Sequence, residues 1–145
     1  MVRIKNRYIV VRIVPQAATN VLKIDDAVLA KCVLQNVKKY YGDYGRGTME
    51  HGFRVKYCNE RTKIAIIRCL HRSHRTVTST LPLITMIGDV RAKFHTLYVG
   101  ATIIHCNKFI IRHQQSFLNE MVGQIASAKE RKDFIKRVME FDLEQ

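Results

Sequence analysis

Apolar residues at Ile9, Val11 and Ile13 recur at a spacing of two, which predicts a strand over about Tyr8 to Val14. Arg3, Lys5 and Arg7 continue the same parity ahead of it, and one face cannot bury both sets. Either a bulge switches the face near Asn6, or residues 1 to 6 form an arm that leaves the sheet. Pro15 and the stretch QAATN then make a connector. A helix comes next: Asp25 or Asp26 can cap its first amides, and Val28 or Leu29, Cys32 or Val33, Val37 and Tyr40 recur at helical spacing. Lys38 and Lys39 suit its carboxyl end, and Gly42 can adopt the left-handed conformation that stops it. The next residues, GDYGRG, resemble a phosphate cradle only superficially. A Walker-type loop follows a strand and places a Lys after its last glycine, whereas this segment follows a helix and runs into Thr48. A flexible helix-to-strand connector is expected.

EHGFRVKYC alternates, with Phe53, Val55 and Tyr57 on one face and Arg54, Lys56 and Cys58 on the other. After the turn NERTK comes IAIIRCL, so the two segments form an antiparallel hairpin. From Ser73 to Gly88 a second helix is expected, capped by Ser73, with Val77, Leu81 and Ile84 in its apolar stripe. Pro82 should kink it or split it in two. Residues 94 to 112 have strand character, with Gly100 marking a bulge or bend. Residues 115 to 125 and 127 to 141 form terminal helices, the second exposing Lys129, Arg131, Lys132, Lys136 and Arg137. This order packs as an α+β, ferredoxin-like (RRM-like) antiparallel sheet sandwich with additional C-terminal helices, one domain over residues 1–145. Helices cover one face of such a sheet and leave the other for a ligand.

The longest apolar runs are four to five residues, far short of the roughly 20 needed to cross a bilayer. No secretory h-region follows the basic start, so neither a membrane span nor export is expected. Cys32, Cys58, Cys69 and Cys106 lack close pairing and suit buried free thiols in a reducing compartment. Charge is more informative. The 25 Lys and Arg against 12 Asp and Glu give +13. Residues 1–119 hold 20 cations and 6 acids, a balance of +14, and residues 120–145 hold 5 cations and 6 acids, or −1. Such an excess favours a polyanion, because each neutralised phosphate releases condensed counterions. Nucleic acid is the leading partner class, with the cations expected to group on one side of the fold. Arg3, Lys5 and Arg7, with Tyr8 at their root, are candidates to clamp RNA backbone. Arg54, Lys56 and Arg68 could extend that surface, although Arg68 could equally be an internal ion-pair residue. Phe53 and Tyr57 share a face with Val55 and read as core rather than as base-stacking rings. Cys69, His71 and His74 lie close, as do His105 and Cys106, but without the paired short spacings of a structural zinc site. No G-x-S-x-G or H-E-x-x-H pattern gives a nucleophile or metal a mechanism.

Five segments, MVRIKNRYIVVRI, GDYG, AIIRC, STLPLIT and LYVGATI, come in an order that resembles the Pop-five type protein subunit of ribonuclease P and ribonuclease MRP. The resemblance runs from Met1 to about Arg112. Ala101 departs from it, standing where family members more often carry a second glycine. The resemblance implies a non-catalytic RNA-binding subunit of a ribonucleoprotein that removes 5′ leaders from precursor tRNA. It implies that the catalytic Mg²⁺ ions sit on the RNA subunit, with no cofactor on this chain. The implied partners are the catalytic RNA of ribonuclease P or MRP, nearby precursor tRNA, and a TIM-barrel-like protein subunit. The implied location is the nucleus and nucleolus. Two other functions compete. One is a metal-dependent endonuclease acting alone through Asp25, Asp26 and Asp43, which cleavage of precursor tRNA by the isolated chain would reveal. The other is a generic basic or ribosomal-type RNA-binding protein.

Overall fold

Ile9, Val11 and Ile13 share one buried face of strand β1 (Asn6–Pro15) in a computed structural model that describes residues 3–16, 23–125 and 127–143, with side chains as far as Lys136. Most of the QAATN connector, and the side chain of Arg137, lie outside the described residues. The pairing of β1 with β3 (Ile64–Leu70) runs unbroken from Asn6 opposite Leu70 to Arg12 opposite Ile64. No bulge therefore reverses β1, and the basic residues leave the sheet instead: Arg3–Lys5 precede the strand. Arg7 keeps the parity of Ile9 but sits at the sheet's end, half-buried, where its guanidinium donates to the Asn6 carbonyl at 3.0 Å.

The remaining elements are helix α1 (Asp26–Glu50), β2 (Arg54–Asn59), α2 (His74–Thr80), β4 (Met86–Ile87), β5 (Val90–Gly100), α3 (Ile103–Gln124) and α4 (Ala128–Leu143). The strands order as β2-β3-β1-β5-β4, every neighbour antiparallel. With α1 joining β1 to β2 and α2 lying between β3 and β5, this is the expected ferredoxin-like α+β sandwich, with β4 added as a short edge. Ala65, Ile67, Cys69 and Phe94 line the same face as Ile9, and Leu29, Val33, Val37 and Met49 of α1, with Val77 of α2, close over them. Each fully buried Ile, Leu or Val contributes about 1.5–3 kcal/mol, so this layer holds the sheet and helices together.

Local chemistry explains where the pattern misleads. Gly42 breaks α1 (φ 71°, ψ −165°), but GDYGRG is not a loose connector, because the helix resumes and runs to Glu50. Asp25 takes the N-cap position of α1 without a side-chain cap hydrogen bond. Ser73 likewise does not cap α2; its hydroxyl donates to the Thr48 carbonyl at 3.3 Å and ties the end of α1 to the start of α2. Pro82 splits the second helical segment as expected, but no second helix forms beyond it. A 3-10 turn at Leu81–Leu83 gives way to extended backbone at Ile84 and then to β4. The hairpin from β4 to β5 closes through Gly88 at φ 56° and Asp89.

Residues 103–112 are helical rather than extended. Thr102 caps α3, its hydroxyl accepting from the His105 amide at 3.3 Å. The irregularity in β5 falls at Leu97, between the pairs Val10–Tyr98 and Val11–Thr96, and not at Gly100. Gly100 is needed for another reason: a Cβ there would stand 2.9 Å from the Tyr98 ring and 3.1 Å from the Cys106 sulfur. Ala101 is exposed, so its methyl group meets no such crowding.

Two compact units divide within α3, Met1–Asn107 and Lys108–Gln145. In the second, the helix expected over 115–125 is the end of α3, and α4 starts at Ala128. Lys129, Lys132 and Lys136 are exposed as expected. Arg131 is half-buried, its Nε donating to the Ile125 carbonyl at 2.6 Å.

Candidate nucleic-acid interface

The strand register builds a row across the face of the sheet opposite the helical core. Arg54 of β2 pairs with Arg68 of β3, Arg68 with Tyr8 of β1, and Tyr8 with Gly100 of β5. Sequence reasoning proposed Arg54 and Arg68 as an extension of the surface rooted at Tyr8, and the fold makes the three neighbours. Among the described residues neither arginine has a carboxylate partner. Arg54 is exposed, whereas Arg68 is half-buried with its Nε enclosed and without a hydrogen-bond partner. The internal ion-pair alternative for Arg68 therefore finds no acid. Like charges directly opposed on neighbouring strands cost up to about 1 kcal/mol, and a buried donor left unpaired costs about 1–3 kcal/mol. An oxyanion seated between the two guanidinium groups relieves both, and phosphodiester oxygens match the planar donor fork of arginine.

Lys56 falls at a register shift between Val55 and Tyr57. The bulge also corrects the face assignment in β2: Cys58, not Tyr57, packs against the core, while Tyr57 is exposed. Phe53 and Val55 remain on the core side.

The arm does not join the row. Arg7 pairs with Cys69 on the helix-side face, opposite Tyr8 and Arg68. Arg3 and Lys5 are exposed, and the Lys5 carbonyl accepts from the His71 amide at 2.8 Å, which holds the arm's backbone beside the β3–α2 junction. The cations are thus not grouped on one side. Nor is the second face bare, because Val10 and Ile66 on it are both buried. Arg12, on the parity of Tyr8 and paired with His95, was missed by sequence reasoning. The alternation of β1 carried that signal.

Among the described residues no group of three or more His, Cys, Asp or Glu is placed to hold a metal ion. His71 and His74 pack at a tilt, ring centroids 5.2 Å apart and ring planes at 46°, while Cys69 is buried. Asp43, one of the acids considered for a nuclease, pairs with Lys38 at 3.3 Å on the exposed side of α1. Burial pushes the thiols of Cys32, Cys58 and Cys69 up to about 11, and raises that of Cys106 as well. These sulfurs are neutral donors: Cys32 to the Met86 carbonyl at 3.2 Å, and Cys106 to the Tyr8 carbonyl at 3.6 Å. The second bond fixes the start of α3 beside the strand that carries Tyr8.

Fold and site together define a ferredoxin-like sandwich whose sheet carries a pair of arginines without a carboxylate partner among the described residues. A protein-family model described as the Rpp14/Pop5 family matches residues 7–111, nearly three quarters of the chain, and the chain belongs to that family. It is 32% identical to the human (Homo sapiens) ribonuclease P/MRP protein subunit POP5 over 95% of this chain and 87% of that protein. The zebrafish (Danio rerio) protein of the same name is 30% identical, over 99% of this chain and 88% of that one. Among solved structures, a chain in the cryo-EM structure of yeast ribonuclease MRP shares the fold, with a TM-score of 0.55 at 14% identity over 99% of this chain and 95% of that chain.

Proposed function

We propose that this chain is a non-catalytic, RNA-binding protein subunit of a ribonuclease P/MRP ribonucleoprotein, supporting 5′-leader removal from precursor tRNA and related RNA processing. Family membership and similarity over nearly the whole chain to POP5 subunits support the assignment to that complex. The observation that carries the RNA-binding role is the Arg54–Arg68 pair, opposed across β2 and β3 without a carboxylate among the described residues and with an enclosed donor left unused. In this reading the RNA subunit holds the Mg²⁺ ions and cuts. Arg54 and Arg68, with Tyr8 beside them, grip a backbone phosphate, and the exposed cations Arg3, Lys5 and Lys56 contact other phosphates of the same RNA. The complex's RNA and its other protein subunits, one of them TIM-barrel-like, are the partners. The location is nuclear, including the nucleolus.

The test is the RNA that a tagged chain captures from its own cells, and then its affinity for an Arg54→Ala/Arg68→Met variant. A processing RNA, rather than ribosomes, is expected in the capture. The variant should bind it more weakly with a salt slope shallower by about 1, since the two arginines share one phosphate and each phosphate no longer neutralised removes about one unit. Its folded stability without RNA should be equal to or above the parent's, because two like charges are removed. Unchanged affinity and slope refute the role of the row.

A further inference from the structure

GDYGRG contributes nothing to the sheet row, yet it is built with more care than a connector needs. Gly42 redirects α1 through a left-handed φ of 71°. Around this break the helix is pinned in three places. Gly45 is buried so closely that a Cβ would stand 2.4 Å from the Tyr41 Cβ. The Tyr41 hydroxyl bonds the Ser79 hydroxyl at 2.6 Å, and the Thr48 carbonyl accepts from Ser73. On this fixed frame Tyr44 is 85% exposed, and Tyr40 is 44% exposed with the Lys39 ammonium 5.5 Å from its ring centroid.

Half of the chain's six tyrosines lie within five residues. Tyr41 is used in packing, but Tyr44 has no contact among the described residues that explains holding its ring in water. The other exposed positions between 38 and 47 are Lys38, Lys39, Tyr41, Gly42, Asp43, Arg46 and Gly47, with no aliphatic side chain among them. An apolar protein partner would find nothing beside the rings to bury. Asp43 and Glu50 are matched by Lys38 and Arg46 at 3.3 and 3.9 Å, which leaves Lys39 without a carboxylate among the described residues. Fixed, exposed rings beside a cation suit unpaired nucleotides, whose bases stack on aromatic faces while phosphates lie near the charge.

We propose that the break in α1 is a second RNA site, at which Tyr44, flanked by Tyr40 and Lys39, stacks a base of an unpaired RNA segment. The proposal rests on the RNA-binding reading above, but uses a face of the molecule separate from the Arg54–Arg68 row.

The chain contains no tryptophan, so Tyr44→Trp places a single reporter at the site. Its fluorescence should be quenched by oligouridylate or oligoadenylate and not by duplex RNA. Tyr44→Ala in the full chain should weaken binding to the unpaired oligonucleotides about 5- to 150-fold, the range a lost base stack gives. Tyr44→Phe, which keeps the ring, should bind like the parent. If Tyr44→Ala binds RNA as the parent does, while Arg54→Ala/Arg68→Met does not, the stacking site is refuted and the RNA-binding reading stands. Should the parent bind no RNA of any kind, both fall. Loss of a protein subunit from Tyr44→Ala complexes with RNA affinity intact would make the rings a protein contact and overturn the proposal.

Discussion

Cys32, Cys58 and Cys69 tie packing to pH. Burial is the largest cause holding all three thiols up at about 11, and the carboxylates of Asp26 and Glu60 add to it at Cys58. An unfolded thiol ionises near 9. Below that value both states are neutral and the thiols leave stability independent of pH. Between about 9 and 11 the unfolded chain loses protons that the folded chain retains, so stability falls as pH rises. Urea midpoints should therefore drop from about pH 8.5 to about pH 10.5, and Cys32→Ala, though less stable throughout, should show a smaller drop. Equal drops in parent and variant would mean that this thiol is not involved. The thiols also show how far single residues were legible. Their burial as free sulfurs followed from spacing and composition. Which of Tyr57 and Cys58 faces the core did not, because a bulge changes the count of residues between strands without changing the sequence pattern. The fate of Arg68 was similarly open until the register set Arg54, rather than an acid, beside it.

Elements that depend on side-chain spacing were read correctly, namely β1, the first part of α1, the β2–β3 hairpin and α4, and those decided by backbone geometry were not. The run VGATIIHCNKFIIR is apolar enough for strand or helix, and the Thr102 cap decides it. In α1, glycine chemistry at three positions has three meanings, and two of them give a paired prediction. Gly47 is helical, at an ordinary φ, with nothing within 4 Å of an added Cβ. Gly47→Ala should raise stability by about 0.5–1 kcal/mol through helix propensity alone. Gly45→Ala makes the same gain in propensity but drives its methyl into Tyr41, and overpacking of this kind costs about 1–3 kcal/mol. Thermal unfolding of the two variants should move in opposite directions. If both rise, the close approach of Gly45 and Tyr41 is not what holds the second part of α1 in place.

For the whole molecule, the balance of +14 over residues 1–119 was visible in the sequence, but its placement was not. A cluster on one side would behave as one electrostatic unit. The fold instead puts Arg54 and Arg68 on the second face of the sheet, roots the arm at Arg7 on the helix-side face, and leaves Lys39 on α1. Charges that share no partner and contact separate phosphates contribute additively to binding, whereas neighbours in one patch couple by about 0.5–3 kcal/mol. An RNA wrapped against several faces also gains more counterion release than one docked on a single patch. Arg3→Ala/Lys5→Ala and Arg54→Ala/Arg68→Met should therefore each flatten the salt dependence of RNA binding. Their combination should lower the affinity by the product of the two separate factors, within about 0.5 kcal/mol. Measured over salt concentrations from about 50 to 200 mM, where phosphate contacts dominate the change in affinity, a combined loss no larger than that of the row variant alone would show that the arm does not meet the RNA. A loss well beyond the product would restore a single cooperative patch and require the RNA to draw the two surfaces together.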